Sequence, residues 1–399
     1  MRVPGFARMY TSLVFGRMAN SMGSVAMVLF VLQRFHSPEL AGATAFCASL
    51  PGILVSPIGG ALLDRYGRAR LIMVDYVVAA VTLGAIAVLS LAHNLSSPVL
   101  LVIVVLSSVT GPLSWAGMRS LFPIIAPRHL WERANGLDSS GNVIATLLAS
   151  PLAGILVGLF GGEWGLIVSG LLFLAAAAAL VGMHDPSIRG QAVESVMRNA
   201  WRGLAYTVRN PSLRGLALTL SAYNVGNGVL VIALPVLVLS RLHSGPAVVG
   251  VMWGIMGGAG MVSALAAGRV SSFGRERQMM VIAILIGAAG TAVLAFAGNV
   301  AVVVTSVLLL GLATGPFDVG LFTLRQRRTD PAWFGRAFAI SMALNSAGNP
   351  IGSAIAGPVI AHSLNAAIGF AVVMCLIAGL LPMLTIPARD EAAATGLPG

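Results

Sequence analysis

The chain has 399 residues, 57% of them hydrophobic and 9% charged, with a mean hydropathy of +0.91. Soluble domains carry about 25% charged residues, so the composition excludes a soluble enzyme or a nucleic-acid-binding fold. The formal net charge is +11 and all 24 basic residues are arginine; a chain without lysine has no Schiff-base amine and no phosphate-loop lysine, hence no ATPase of its own.

Apolar windows of about 20 residues, the length that crosses a hydrocarbon core as a helix, recur along the whole chain. Twelve spans are predicted, at 10–33, 40–63, 71–92, 98–123, 134–160, 164–183, 212–240, 246–267, 278–298, 300–324, 335–361 and 364–386. Helices are the expected form because lipid offers no partner for backbone amides, and barrel strands would be shorter and alternating. The first span, interrupted by Arg17 and Asn20, is too long for a cleaved signal peptide. Cys47 and Cys375 sit singly in apolar windows and read as small core residues.

The arginines set the orientation. With the N-terminus inside, 21 of the 24 fall on the inner side, Arg34 and Arg241 fall outside, and Arg17 lies within a span. That asymmetry places both termini in the cytoplasm and explains the basic charge as topological, with no role for nucleic acid.

The chain also repeats. Arg34 and His36 recur as Arg241 and His243, and "YGRAR" at 66–70 recurs as "FGRER" at 273–277, each 207 residues later. "TGP" at 110–112 returns at 314–316, and Pro127 returns as Pro331, each 204 residues later. Two six-helix halves in one orientation follow, 1–183 and 212–399, as parallel repeats require. Between them, 184–211 is a polar linker in which Met197, Trp201, Leu204 and Val208 share one helical face. A basic amphipathic helix on the inner surface and an ordinary solvated linker are both open readings there.

The loop after the second span runs from Gly60 through Asp64, Arg65, Gly67 and Arg68 to Arg70. Gly67 suits a tight turn, and an acid among arginines at a helix end can pair with them or with a helix dipole. The loop resembles the signature of the major facilitator superfamily, G-x-x-x-D-R-x-G-R. This resemblance implies an all-α membrane protein of twelve transmembrane helices, in two six-helix bundles related by pseudo-twofold symmetry. It also implies that Asp64 latches the inner face in the outward-open state, with Arg65, Arg68 and Arg119 as supports. The second copy keeps Gly274, Arg275 and Arg277 but has Ser271 where the acid would fall.

"FGRMANSMGS", "MRSLFPIIAPRHLWERANGL" and "LRQRRTDPAWFGRAFAI" resemble the drug-exporter branch that includes macrolide and enterobactin-type siderophore exporters. Span 5 carries Ser150, Pro151 and Gly154, similar to a degraded antiporter motif G-P-x-x-G-G; close helix packing is the alternative reading there, as for Gly348, Pro350, Gly352 and Gly357 in span 11. The cavity-lining helices of the superfamily are the first, fourth, seventh and tenth. By that resemblance the candidate cavity residues are Arg17 and Asn20, Trp115, Tyr223, Asn224 and Asn227, and Asp318. Arg17 and Asp318, each seven residues from an inner span end and so about 10 Å deep, form a candidate coupling pair. Asp75 and Asp138 are expected at inner helix ends, capping or pairing with loop arginines. The histidines have no metal-ligand spacing, and neither a metal nor another cofactor is expected.

The function expected is proton-coupled efflux of amphipathic small molecules by alternating access, from a monomer in a bacterial-type inner membrane. Small-molecule substrate, protons and the lipid bilayer are the expected partners. A dedicated exporter of one metabolite, such as a siderophore or lipid-like product, is the alternative; a non-transporting receptor on the same fold is more remote. No paired carboxylates, nucleophile elbow or metal cluster points to an enzyme.

Overall fold

In the computed structural model, residues 5–125, 145–183, 204–270, 272–329 and 345–387 are described. Thirteen α-helices are named here in chain order. These are α1 (Phe6–Phe35), α2 (Pro38–Cys47), α3 (Leu50–Tyr66), α4 (Arg68–Leu91), α5 (Ser97–Ile125), α6 (Ser150–Phe160) and α7 (Gly162–Leu180). Next come α8 (Pro211–Val236), α9 (Pro246–Ala267), α10 (Glu276–Ala295), α11 (Val300–Arg327), α12 (Gly348–His362) and α13 (Leu364–Thr385). The predicted second span is α2 and α3 together, broken at Ala48 and Ser49 just before Pro51. Proline has no amide to give the preceding turn, so one span appears as two helices. Among the described residues, ten candidate spans are long and apolar enough to cross a membrane. The described parts of the fifth and eleventh spans are shorter, because 126–144 and 330–344, with Asp138, lie outside the described residues. So does most of the linker; the face expected there is described only at Leu204, partly buried, and Val208, exposed.

The chain falls into two compact units, one of Met1–Val196 with Leu234–Gly254, the other of Met197–Ala233 with Ile255–Gly399. Parts of α8 and α9, Leu234–Gly254, thus group with the first unit. In the first unit, Phe6, Met9 and Leu13 of α1 bury themselves with Ile72 and Tyr76 of α4, Met118 and Leu121 of α5, and Ala176 and Leu180 of α7. The second unit's core has Leu213, Leu216 and Leu220 of α8, Met280 and Ile284 of α10, Leu321 and Leu324 of α11, and Ala378 of α13. Phe6, Met9 and Leu13 lie 207 residues before Leu213, Leu216 and Leu220, so the sequence repeat is also a repeat of core positions. Two other repeated residues share an uncommon backbone: His36 and His243 end their spans in the left-handed region, at φ 50° and 49°.

Glycines set the closest helix contacts. In the second unit a Cβ on Gly352 would run into the backbone of Val225, and one on Gly348 would lie 2.9 Å from Asn224 Cβ, so α12 and α8 meet backbone to backbone. Ser353 Oγ then donates to the Gly228 carbonyl at 2.9 Å. Small residues allow this approach, which a hydrocarbon solvent favours through dispersion and helix-to-helix hydrogen bonds. Gly352→Val is expected to destabilise the protein by about 1–3 kcal/mol, the usual cost of overpacking. The check is its thermal unfolding midpoint in detergent, and an unchanged midpoint would show that α12 has room to move away.

Candidate functional site

Gly67 closes α3 and opens α4 at φ 91°, its amide held 3.2 Å from the Leu63 carbonyl. Residues with a Cβ are strained at that φ, which explains the glycine. Gly60 and Asp64 belong to α3, but the Asp64 side chain lies outside the described residues. The contacts described for its expected supports run to other groups. Arg65 lies 5.3 Å over the Tyr66 ring, and Arg119 lies 4.9 Å over Trp115. Arg68 is buried and donates from Nε to Ser120 Oγ at 3.0 Å. That bond ties the start of the third span to the end of the fourth.

The second copy makes the corresponding tie with charge. Gly274 turns at φ 72°, and two residues on Glu276 begins α10 as a buried acid. It forms an ion pair with Arg327 at the end of α11, whose guanidinium also lies 4.6 Å over the Phe273 ring. Sequence pattern placed the lost acid at Ser271 and passed over Glu276; the available signal was an acid inside "FGRER" beginning an apolar window. Around it, Arg277 donates to the Ile386 carbonyl at 2.9 Å. Arg328 donates to the Pro387 carbonyl at 2.7 Å and to Ser212 Oγ at 3.1 Å. Guanidinium hydrogen bonds of this kind are about twice as strong as neutral ones, so they fasten this end of the unit.

Deeper in each unit, some of the polar candidates lie near a buried tyrosine. In the first, the Tyr76 hydroxyl fits beside Gly16, where a Cβ would collide with it. Tyr76 hydrogen-bonds to Ser12 and lies within electrostatic reach of Arg17 and Asp75. Arg17 is partly buried, and Asn20 and Trp115 are exposed in this structure. In the second unit, Tyr223 hydrogen-bonds to Asn227, lies within electrostatic reach of Asp318, and packs against Phe317 with ring centres 4.6 Å apart and planes tilted by 32°. Asn224 Nδ2 donates to the Asn345 carbonyl at 2.8 Å, joining α8 to the chain just before α12.

Asp75 corrects the expectation of a helix-end acid. It is the eighth residue of α4, about 10 Å from the helix start, and it is buried. Its carboxyl hydrogen-bonds to Ser114 and Thr110 of α5. In span 5 a π-helical turn, Ala145–Ala149, precedes Ser150 and Pro151. A Cβ on Gly154 would lie 2.9 Å from Gly250 Cα in the same unit, so this motif packs tightly, as either sequence reading requires.

These arrangements can hold charge and polar groups within apolar helices. Among the described residues, no three His, Cys, Asp or Glu lie close enough to share a metal. The model of the Major Facilitator Superfamily matches residues 9–273 and 216–398. The chain belongs to the Major Facilitator Superfamily. Uncharacterized MFS-type transporter y4rN of Sinorhizobium fredii is 36% identical over 388 residues, 97% of this chain and 96% of its own length. Multidrug efflux pump Tap of Mycolicibacterium fortuitum is 24% identical, covering 85% of each chain. Multi-drug resistance efflux pump PmrA of Streptococcus pneumoniae is also 24% identical, over 87% of this chain and 86% of its own. Among solved structures, nucleoside transporter NupG superposes with a TM-score of 0.75 at 11% identity, over 96% of this chain and all of that one. A bacterial homologue of the lysosomal transporter Spinster gives 0.75 at 11%, over 95% and 96%. The superfamily fold expected from the signature loop is therefore the observed one. This superfamily member is a multi-pass membrane transporter, not an enzyme.

Proposed function

We propose that this transporter is a proton-coupled exporter of amphipathic small molecules. The observation that carries the reading is the similarity, over most of the chain, to bacterial proteins named as multidrug efflux pumps. The halves 1–183 and 212–399 would rock about a midplane site. Asn20, Trp115, Tyr223, Asn224 and Asn227 would line that site, Arg17 and Asp318 would couple it to protons, and the Gly60–Arg68 loop with Arg119 would latch the inner face. The protein would work as a monomer in the bacterial inner membrane with both termini in the cytoplasm, the side its arginines favour.

Ethidium is a suitable probe because it is permanently charged and is not trapped by pH alone. In proteoliposomes with an acidic lumen and the membrane potential clamped, protons leaving the lumen should drive ethidium inward. Each exchanged proton is worth about a factor of ten in accumulation per pH unit of gradient. Accumulation that follows the gradient, accompanied by proton efflux on a trapped pH dye, is the expected result. Ethidium movement indifferent to the gradient, or none beyond protein-free liposomes, would remove the proposal.

A further inference from the structure

We infer that Asp75 is a proton-carrying residue of the transport cycle, lodged in the first unit and distinct from Asp318. The inference rests on the proton-coupled reading above. An ionisable side chain buried this deep in a membrane helix is costly and marks a proton or ion pathway more often than a structural need. Asp75 meets that description: it is only 4% exposed and stands two turns into α4.

Its surroundings can accept either protonation state. Thr110 Oγ1 can donate to its own helix at the Ser107 carbonyl, 3.0 Å away, and Ser114 Oγ to the Gly111 carbonyl at 3.2 Å. Each hydroxyl has one proton and two lone pairs. When Asp75 is ionised, the hydroxyls can turn and donate to its carboxylate. When it is protonated, they return to their helix carbonyls, and one accepts the carboxylic O–H. Both states keep their hydrogen bonds. A proton taken from water on one side, held on the carboxyl, and released to water on the other completes the step with no other reactant. A purely structural acid would need only the first arrangement.

The charged and titratable groups around it are few. From α1 come Arg17, beside Tyr76, and Tyr10, packed against the same core. Tyr76, Arg68 and Arg70 lie on α4 itself, and α5 brings the two hydroxyls and, five residues past Ser114, Arg119. On α7 the titratable residue is Glu163, at the far end of the helix and hydrogen-bonded to Ser90. On α3, Asp64 and Arg65 lie at the inner end.

Two measurements on the full-length protein test this. In infrared difference spectra between acidic and neutral pH, the purified wild type should show a protonated-carboxyl stretch that Asp75→Asn lacks and Asp318→Asn retains. In the ethidium assay, Asp75→Asn should lose about tenfold in accumulation at a gradient of about one pH unit, one proton's share, while downhill equilibration persists. Asp75→Glu should keep uphill accumulation with a displaced pH profile. An unchanged infrared band in Asp75→Asn, or undiminished accumulation, overturns the inference. If the asparagine variant does not fold, Asp75→Glu must shift the band's frequency, and an unshifted band is equally fatal. A wild type that moves no ethidium defeats the proposed function, and the infrared result still decides Asp75.

Discussion

Asp318→Asn is expected to cost this transporter about tenfold in ethidium accumulation at a gradient of about one pH unit, one exchanged proton's worth. The argument begins with depth. Asp318 lies nine residues before the end of α11, about 14 Å along the helix, and Arg17 lies eleven after the start of α1, about 16 Å. A charge at such depth costs about 2.5–3.5 kcal/mol by insertion scales unless something compensates it. Arginine cannot realistically release its proton, so an exchangeable proton must sit on the acid. The asparagine variant keeps the size of Asp318, within electrostatic reach of Tyr223, and removes its titration. Downhill movement should therefore continue while uphill movement fails. Accumulation ratios of Asp318→Asn and its parent, with and without a gradient, check this. Full uphill export by Asp318→Asn, with the parent's pH dependence, would exclude Asp318 as a carrier.

Much of the fold was legible because lipid imposes a strong and simple rule: a helix must be long and apolar to cross. Arginine placement and the repeats at 207 and 204 residues followed from sequence alone, and His36 and His243 prove to share a backbone conformation as well as a position. Gly67 was readable because a signature turn demands a residue free at positive φ. Asp75 was misplaced because apolar periodicity locates a helix end only to within a few residues. The loop arginines blurred that end, whereas α4 begins at Arg68 and carries Asp75 two turns inward. The bonds from Arg68 to Ser120 and from Glu276 to Arg327 were invisible for another reason. Each joins residues more than fifty positions apart, and only the packing of the third span on the fourth, or the ninth on the tenth, brings them together.

The pair at the second signature copy leads to the other large effect. Glu276 is buried, while Arg327 is 37% exposed. Arg327→Ala leaves a buried carboxylate without its partner, which costs about 3–5 kcal/mol for a fully buried pair. Water already reaches this arginine, so the expected loss is smaller, about 1–2 kcal/mol. The cation that covers the Phe273 ring is lost as well. Glu276→Gln should be milder, because a neutral amide tolerates burial and still accepts a hydrogen bond from Arg327. In the double variant, Glu276→Gln with Arg327→Ala, no lone carboxylate is left behind, so part of the stability lost in Arg327→Ala should return. A coupling energy of about 0.5–3 kcal/mol between the two changes is what contact in one network predicts, and thermal or denaturant unfolding in detergent measures it. Additive losses would mean that Glu276 finds other partners when Arg327 is gone. The nearby Arg277 and Arg328, already engaged with the carbonyls of Ile386 and Pro387, would be the residues to mutate next. A salt series adds a second check: a pair with one member in water should weaken as ionic strength rises, and Arg327→Ala should then lose less relative to its parent.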